Sequence, residues 1–389
     1  MESVLSSENR ETLVIFQRAL EMIEGFALYF VRSNLPLQNE ALLAQLSTAL
    51  GSTRPIFRVN LGPRDPILPH LLAEAARVPP GGSLHVFGLE LQLPPNEAQP
   101  NVLQQLNLSR EHFRRLACPV VFWLREEALT RLAQGAPDFW AWRSGVFEFL
   151  PEPGWVGEQH IQHVGQGTLA WRDLPPQEKS ARILALEGLL EDYRLLEQNE
   201  HTRRAQAEVA LELGKLYLVA YRIEESALVL EQALTLYRAV GDRLGEANVL
   251  KARGDVQAFR KENDAALDSY AQALTLYRAV GAKVGEANTH LSLGDIYKET
   301  GNIENAQYKL KNALDLYSSI GDRYSQARAL YRLGDCAFET QNYDLAISLY
   351  EQAMTLWQAI QLDDLVNSIL IPRLKRALAE QQTASEDTP

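Results

Sequence analysis

The chain has 389 residues, 46% of them hydrophobic and 23% charged, which suits two domains or one domain followed by an array. Its formal net charge of −12 argues against a general nucleic-acid binder, which carries a basic surplus. The two cysteines, Cys118 and Cys336, lie far apart without a CxxC partner, which argues against a disulfide framework or a thiolate zinc site and leaves them as small buried hydrophobes.

The first residues, MESVLSSENRETLVIF, lack the basic and apolar regions of a secretory signal. The longest apolar stretch, near Phe26 to Val31, is far short of the ~20 residues that span a bilayer. A cytoplasmic protein with no membrane partner is expected. Residues 1–150 alternate short β-like runs (26–31, 56–60, 83–89, 120–124, 146–150) with helical segments (40–50, 66–77, 110–116, 126–134). Strands followed by helices predict an α/β domain with a mainly parallel sheet. Trp140 and Trp142 read as core, and Arg110, Arg114 and Arg115 are too few to imply nucleic acid.

Residues 151–178 form a Gly/Pro-rich connector. His160 and His163 stand there at i, i+3 near Glu158 without further ligands, so no metal is expected. No GxSxG elbow, HExxH pair or Cys-His arrangement offers catalytic residues, and no cofactor or enzymatic activity is expected. Residues 179–203 read as a capping helix leading into the repeats that follow.

From 204 to 364 the sequence repeats every 40 residues. Gly214, Gly254, Gly294 and Gly334 fall in phase with Ala233, Ala273, Ala313 and Ala353. Small residues recur at Ser226, Ala266, Ala306 and Ala346, and at Ala207, Ala247, Ala287 and Ala327. Tyr237, Tyr277, Tyr317 and Trp357 form an aromatic column. Each unit reads as two amphipathic helices, the second closed by Gly241, Gly281 or Gly321 in the left-handed conformation. Asp242 and Asp322 follow as N-caps of the next helix. Small residues are needed where the helices approach closely, and stacked units share one core. Residues 365–380 read as a closing helix kinked at Pro372, and 381–389 as a disordered tail.

Leu213-Gly214…Tyr217…Ser226…Ala233 and Leu293-Gly294…Tyr297…Ala306…Ala313 resemble the tetratricopeptide repeat pattern. Arg253, Gln257 and Ala337 depart from it, and the 40-residue period exceeds the commoner ~34. The units are similar to the long repeats with Gly-Asp turns of kinesin light chains and bacterial regulatory proteins. The resemblance implies a helical superhelix whose first helices line a groove for a protein partner. Carried over by position, that groove includes Asn248, Lys251, Asp255, Asn288, Asp295, Lys298, Arg328, Tyr331, Arg332 and Asp335. Asn248, Lys251 and Asp255 share one side of a helix, as do Arg328, Tyr331 and Asp335. Asp255, Asp295 and Asp335 are expected to form a carboxylate ladder for basic or backbone donors, and the asparagines to bond a backbone.

The N-terminal half resembles the core of signal-transduction ATPases of the STAND and AAA type. The run 84–90 is similar to their hydrophobic strand ending in an acid, and 119–124 to a later core strand. The phosphate loop GxxxxGK[ST] is missing: Arg32-Ser33-Asn34-Leu35-Pro36-Leu37-Gln38 has neither glycine nor lysine. Glu90 therefore reads as a strand-end surface residue and the domain as a degenerate NTPase-like module, able to dock a second partner or self-associate. A non-enzymatic adaptor in bacterial signalling or defence is the expected function. The alternative is a regulatory NTPase with an atypical site at residues 32–34 and Glu90.

Overall fold

The computed structural model describes residues 5–34, 36–93, 100–164 and 174–386. These divide into two compact units, one ending at Ala205 and the other beginning at Gln206.

In the first unit α1 (Ser7–Met22) precedes five strands: β1 (Ala27–Arg32), β2 (Ile56–Asn60), β3 (Ser83–Phe87), β4 (Pro119–Leu124) and β5 (Gly145–Glu148). They pair in parallel in the order β2-β3-β4-β1-β5, each overlapping a run expected from the sequence. The chain returns between strands through α2 (Pro36–Leu50), α3 (Ile67–Ala75), α4 (Asn101–Ser109), α5 (Glu126–Gly135) and α6 (Pro137–Ala141). Parallel strands are covered on both faces, which is why ALYFV of β1 and PVVFWL of β4 are apolar without alternation and buried throughout. One face packs Phe30, Val86 and Phe122 with Phe113 and Phe139. On the other, Phe16 of α1 meets His85, Trp123 and Phe147 at ring-centre distances of 6.1, 6.3 and 4.5 Å.

His85 is buried in β3 and kept neutral. Trp123 Nε1 donates to its Nδ1 at 3.0 Å, so Nε2 carries the proton and faces Ser83 Oγ at 3.2 Å. Burial pushes the imidazole down to about 3. Trp140 packs on the core as expected, its ring 4.9 Å from Phe30. Cys118 and Cys336 are both free and buried.

The structure departs from the sequence reading in several places. The segment Arg110–Leu116 is a 3-10 helix continuing α4. The connector contains α7 (Pro153–His163), and residues 165–173 lie outside the described ones, as does the His163 side chain. Helix α8 (Pro176–Leu195), expected to lead into the repeats, belongs to the first unit, which buries Ile183, Leu186, Gly188, Leu189 and Asp192 of it.

The second unit stacks four helical hairpins: α9 (Glu200–Val219, from Gln206 on) with α10 (Ile223–Ala239), α11 (Arg243–Phe259) with α12 (Asn263–Val280), α13 (Lys283–Glu299) with α14 (Ile303–Ile320), and α15 (Arg323–Glu339) with α16 (Tyr343–Gln358). The glycine column has the expected steric cause. A Cβ at Gly214, Gly254, Gly294 or Gly334 would stand 2.5 to 2.6 Å from Leu230, Tyr270, Leu310 or Tyr350. Gly281 and Gly321 close their helices at φ of 71° and 74°, and Asp242 and Asp322 cap the following helices by accepting from Gly245 N at 2.9 Å and Ser325 N at 3.0 Å.

The closing segment begins with a turn at Asp363–Leu365 and a π-helical turn at Val366–Leu370, then runs as α17 (Ile371–Glu386). The irregularity expected at Pro372 is this wide turn just before it; a wider turn makes room for a ring that lacks an N–H. The tail expected to be disordered from 381 is helical to Glu386, because Gln, Ala and Glu continue the helix. Residues 387–389 lie outside the described ones.

Candidate functional site

Two places carry the residues singled out by the sequence. The first is the carboxyl end of β1, which lies between β4 and β5 at a switch point of the sheet, where parallel folds hold ligands. Here the side chain of Asn34 is bonded at both ends. Its Oδ1 accepts from the backbone N of Glu126, the first residue of α5, at 3.0 Å, and its Nδ2 donates to Asp192 Oδ1 of α8 at 3.1 Å. Gly188 fits against the backbone oxygen of Asn34, where a Cβ would come within 3.0 Å. Arg32 pairs with Glu126 at 2.8 Å and Glu148 at 3.6 Å. Arg125 donates to Leu184 O at 2.9 Å and faces Glu187 at 3.7 Å.

Helix α5 therefore presents its anion-favouring end to an amide of the same unit, with α8 laid across it. Asp192 is 2% exposed, and burial pushes its carboxyl up to about 7 against the opposing hydrogen bond from Asn34. Glu90, expected on the surface, sits in a 3-10 turn with Oε2 buried and without a hydrogen-bond partner among the described residues. Burial raises its carboxyl as well. Leu35, in the loop expected to replace the phosphate-binding one, lies outside the described residues.

The second place is the row of first helices in the array. Asn248, Lys251 and Asp255 stand on α11, Asn288, Asp295 and Lys298 on α13, and Arg328, Tyr331, Arg332 and Asp335 on α15, all partly exposed. The structure ties them together. Arg332 Nε donates to both oxygens of Asp295 at 2.7 and 3.0 Å, and its Nη1 donates to Tyr331 OH at 2.6 Å. Burial works against the charged guanidinium, but the Asp295 carboxylate outweighs it, and the pKa is raised. Lys298 faces Asp335 at 3.8 Å. Arg328 lies over the Tyr324 ring at 5.7 Å.

The three acids expected to form a ladder take donors from within the chain. Asp255 accepts from Lys251 Nζ at 2.7 Å and Tyr270 OH at 2.8 Å. Asp335 Oδ1 accepts from Tyr350 OH and Arg373 Nε, both at 2.9 Å. The asparagines are also partly committed, Asn248 Oδ1 accepting from Tyr277 OH at 2.8 Å and Asn288 Oδ1 from Tyr317 OH at 2.7 Å. Each acid answers a buried hydroxyl or a neighbouring cation, so the surface these helices offer is a set of linked charge pairs rather than a row of carboxylates.

Sequence reasoning missed one end of this surface. A cavity of about 440 Å³ is lined by Lys298 and Asp335 together with Phe338, Glu339, Tyr350, Pro372, Arg373 and Arg376. Arg373 and Arg376 come from α17, beyond the repeats, so no repeat column could flag them. Pro372 was the one visible signal.

Residues 285–359 match the tetratricopeptide repeat family model. No curated protein matches the chain. Among solved structures, BtubC (BKLC) from P. vanneervenii is 15% identical with a TM-score of 0.45, covering 76% of this chain and 93% of that one. A putative kinesin light chain from Podospora anserina with nearly identical TPR-like repeats is 13% identical with a TM-score of 0.42, covering 55% and 99%. A STAND protein with a tetratricopeptide repeat sensor from Pyrococcus horikoshii is 11% identical with a TM-score of 0.38, covering 99% and 90%. No described helix is long and apolar enough to cross a membrane.

Proposed function

We propose that the helical array is an interaction scaffold that holds a protein partner on its first helices. The observation that carries this reading is the linked set Asp295–Arg332–Tyr331 and Lys298–Asp335–Arg373. It keeps the Arg332 and Arg373 guanidinium groups in fixed positions on a partly exposed surface, with Lys298 more loosely placed beside them, so that less entropy is lost when a partner binds. The test is capture by the full chain of interacting proteins from the source cell, identified by mass spectrometry and then measured one at a time. Lys251→Glu with Arg328→Glu is expected to weaken the purified interaction at least tenfold; unchanged affinity would move the interface off these helices.

For the first unit we infer a non-catalytic interaction module derived from a nucleotide-binding type of fold. Support comes from Asn34 and Gly188, which fit α8 onto the carboxyl end of β1 where a phosphate would have to sit. Millimolar ATP or GTP with magnesium is expected to leave the thermal melting point unchanged; a shift of several degrees with hydrolysis would restore the regulatory NTPase reading. A cytoplasmic role in bacterial signalling or defence rests on the resemblance of the long Gly-Asp hairpins to regulatory repeat proteins, and the identity of neighbouring genes tests it.

A further inference from the structure

The cavity at the end of the array joins two groups of residues that differ in how their charges are satisfied. Asp335 is spent: Oδ1 takes hydrogen bonds from Tyr350 and Arg373, and Oδ2 faces Lys298. Arg373 is spent as well, donating also to Ile369 O at 3.0 Å and lying over the Tyr331 ring at 5.1 Å. Lys298 is held only loosely, 3.8 Å from Asp335 and 3.7 Å from Glu339, beyond hydrogen-bonding distance. Arg376 lies over Phe338 with its guanidinium carbon 4.6 Å from the ring centre, and it pairs with no carboxylate among the described residues.

A guanidinium is planar and carries its edge donors in one plane, the geometry a carboxylate accepts in two-point fashion. Lys298 adds a point charge, not hydrogen-bonded to either carboxylate, on the same cavity. We infer that this cavity, framed by α13, α15, α16 and α17, is a binding site for a single carboxylate, the acidic side chain of a protein partner, received between Arg376 and Lys298. The inference rests on the scaffold reading and names the partner chemistry at one point of it. Asp335 and Glu339 remain on the wall and set the charge limit. A monoanion leaves the site near balance, whereas a phosphate carrying nearly two charges meets repulsion from both. Phe338 and Pro372 supply the apolar surface that the methylene groups of a glutamate side chain cover.

The experiment titrates the full chain with N-acetyl-glutamate amide, whose one charge is the side-chain carboxylate, while following arginine Nε–Hε signals by NMR. Saturable binding with a Kd on the order of millimolar is expected, with the largest shift at Arg376. N-acetyl-glutamine amide and inorganic phosphate are expected to bind at least about tenfold more weakly. Arg376→Gln and Lys298→Gln should each weaken the glutamate derivative, and Glu339→Gln should bring phosphate up towards it. Equal binding of the neutral amide, phosphate as the preferred ligand, or indifference to both Arg376→Gln and Lys298→Gln would overturn the assignment. The two readings fail separately. A captured partner indifferent to Arg376→Gln and Lys298→Gln, in a chain that does not bind the glutamate derivative, removes this site and keeps the scaffold. Selective binding of the derivative by a chain that captures no partner keeps the carboxylate site and removes the scaffold.

Discussion

The second and fourth hairpins differ from the first and third in where they keep an aromatic ring. In the first and third, the first helix carries Tyr217 or Tyr297 and the second helix carries Leu230 or Leu310 against the glycine. In the second and fourth, the first helix has Gln257 or Ala337 and the glycine faces Tyr270 or Tyr350. The ring has moved across the hairpin while the packed volume is roughly kept, as close-packed interiors require. The move has a polar consequence. Tyr270 and Tyr350 place their hydroxyls on Asp255 and Asp335 of the same hairpin, whereas Asp295 in the third hairpin has no such donor and is held by Arg332 of the next. Two hairpins thus give their acid a hydroxyl of their own, to which Arg373 of α17 adds at Asp335, and the third depends on its neighbour.

The largest expected effect comes from reversing the exchange. Tyr270→Leu removes a buried ring and a hydroxyl from Asp255, costing about 3 kcal/mol. Leu310→Tyr alone overpacks the third hairpin by ~1–3 kcal/mol, and adding Tyr297→Gln should recover much of that loss. Hydrogen exchange resolved over α11 to α14, with urea unfolding, measures both; simple additivity of Tyr297→Gln and Leu310→Tyr would mean the rings are not exchanged partners. Next come the acids themselves. Asp335→Asn, at a side chain 16% exposed with three partners, should cost ~1–3 kcal/mol, and Asp295→Asn, 41% exposed, under about 1 kcal/mol. Equal costs would erase the distinction between self-satisfied and neighbour-held acids.

A pH experiment separates the third hairpin again. His290 occupies the buried position held by Leu250 and Leu330 in the hairpins on either side. Burial lowers its pKa to about 4, with Lys309 and Arg278 adding to the effect and Glu286 opposing it. A depressed folded value means that its contribution is complete above the unfolded value near 6.5 and is lost as pH falls towards 4. Protection of α13 should therefore decline over that window and His290→Leu should flatten the decline; an unchanged profile would place the acid sensitivity elsewhere. The smallest effects lie in the turns. Ala282 stands where Asp242 and Asp322 cap the neighbouring first helices, and Ala282→Asp should add ~1 kcal/mol. Gln341, at φ 59°, is the counterpart of Gly301 at φ 76°, and Gln341→Gly should add up to ~1 kcal/mol in thermal melting.

These contrasts also mark what could be read in advance. The glycine and alanine columns and the Gly-Asp turns are local or strictly periodic, and the hairpins follow from them. Gln257 and Ala337 looked like losses from the pattern because their compensation sits in the partner helix, 13 residues on, in Tyr270 and Tyr350. The strands of the first unit were visible as apolar runs, but α1 was not, since its charged face hides a stripe ending in Phe16 and Leu20. The docking of α8 was out of reach for another reason. It depends on Gly188 and Asp192 meeting Asn34, more than 150 residues earlier, and one small residue and one acid in a helix carry no mark of that contact. The ten residues singled out do stand on the first helices, while their pairing depended on contacts between hairpins, such as Arg332 with Asp295, that no single unit contains.

The π-helical turn at Val366–Leu370 fixes the azimuth of everything after it. One residue of extra winding advances an α-helix by about 100°, so losing a residue there would swing the two arginines of the final helix a quarter-turn or more away from Asp335 and Phe338 without altering a single side chain. The length of that turn thus acts as a phase setting for the end of the array, and shortening it would be felt first as a change in which way the last helix faces.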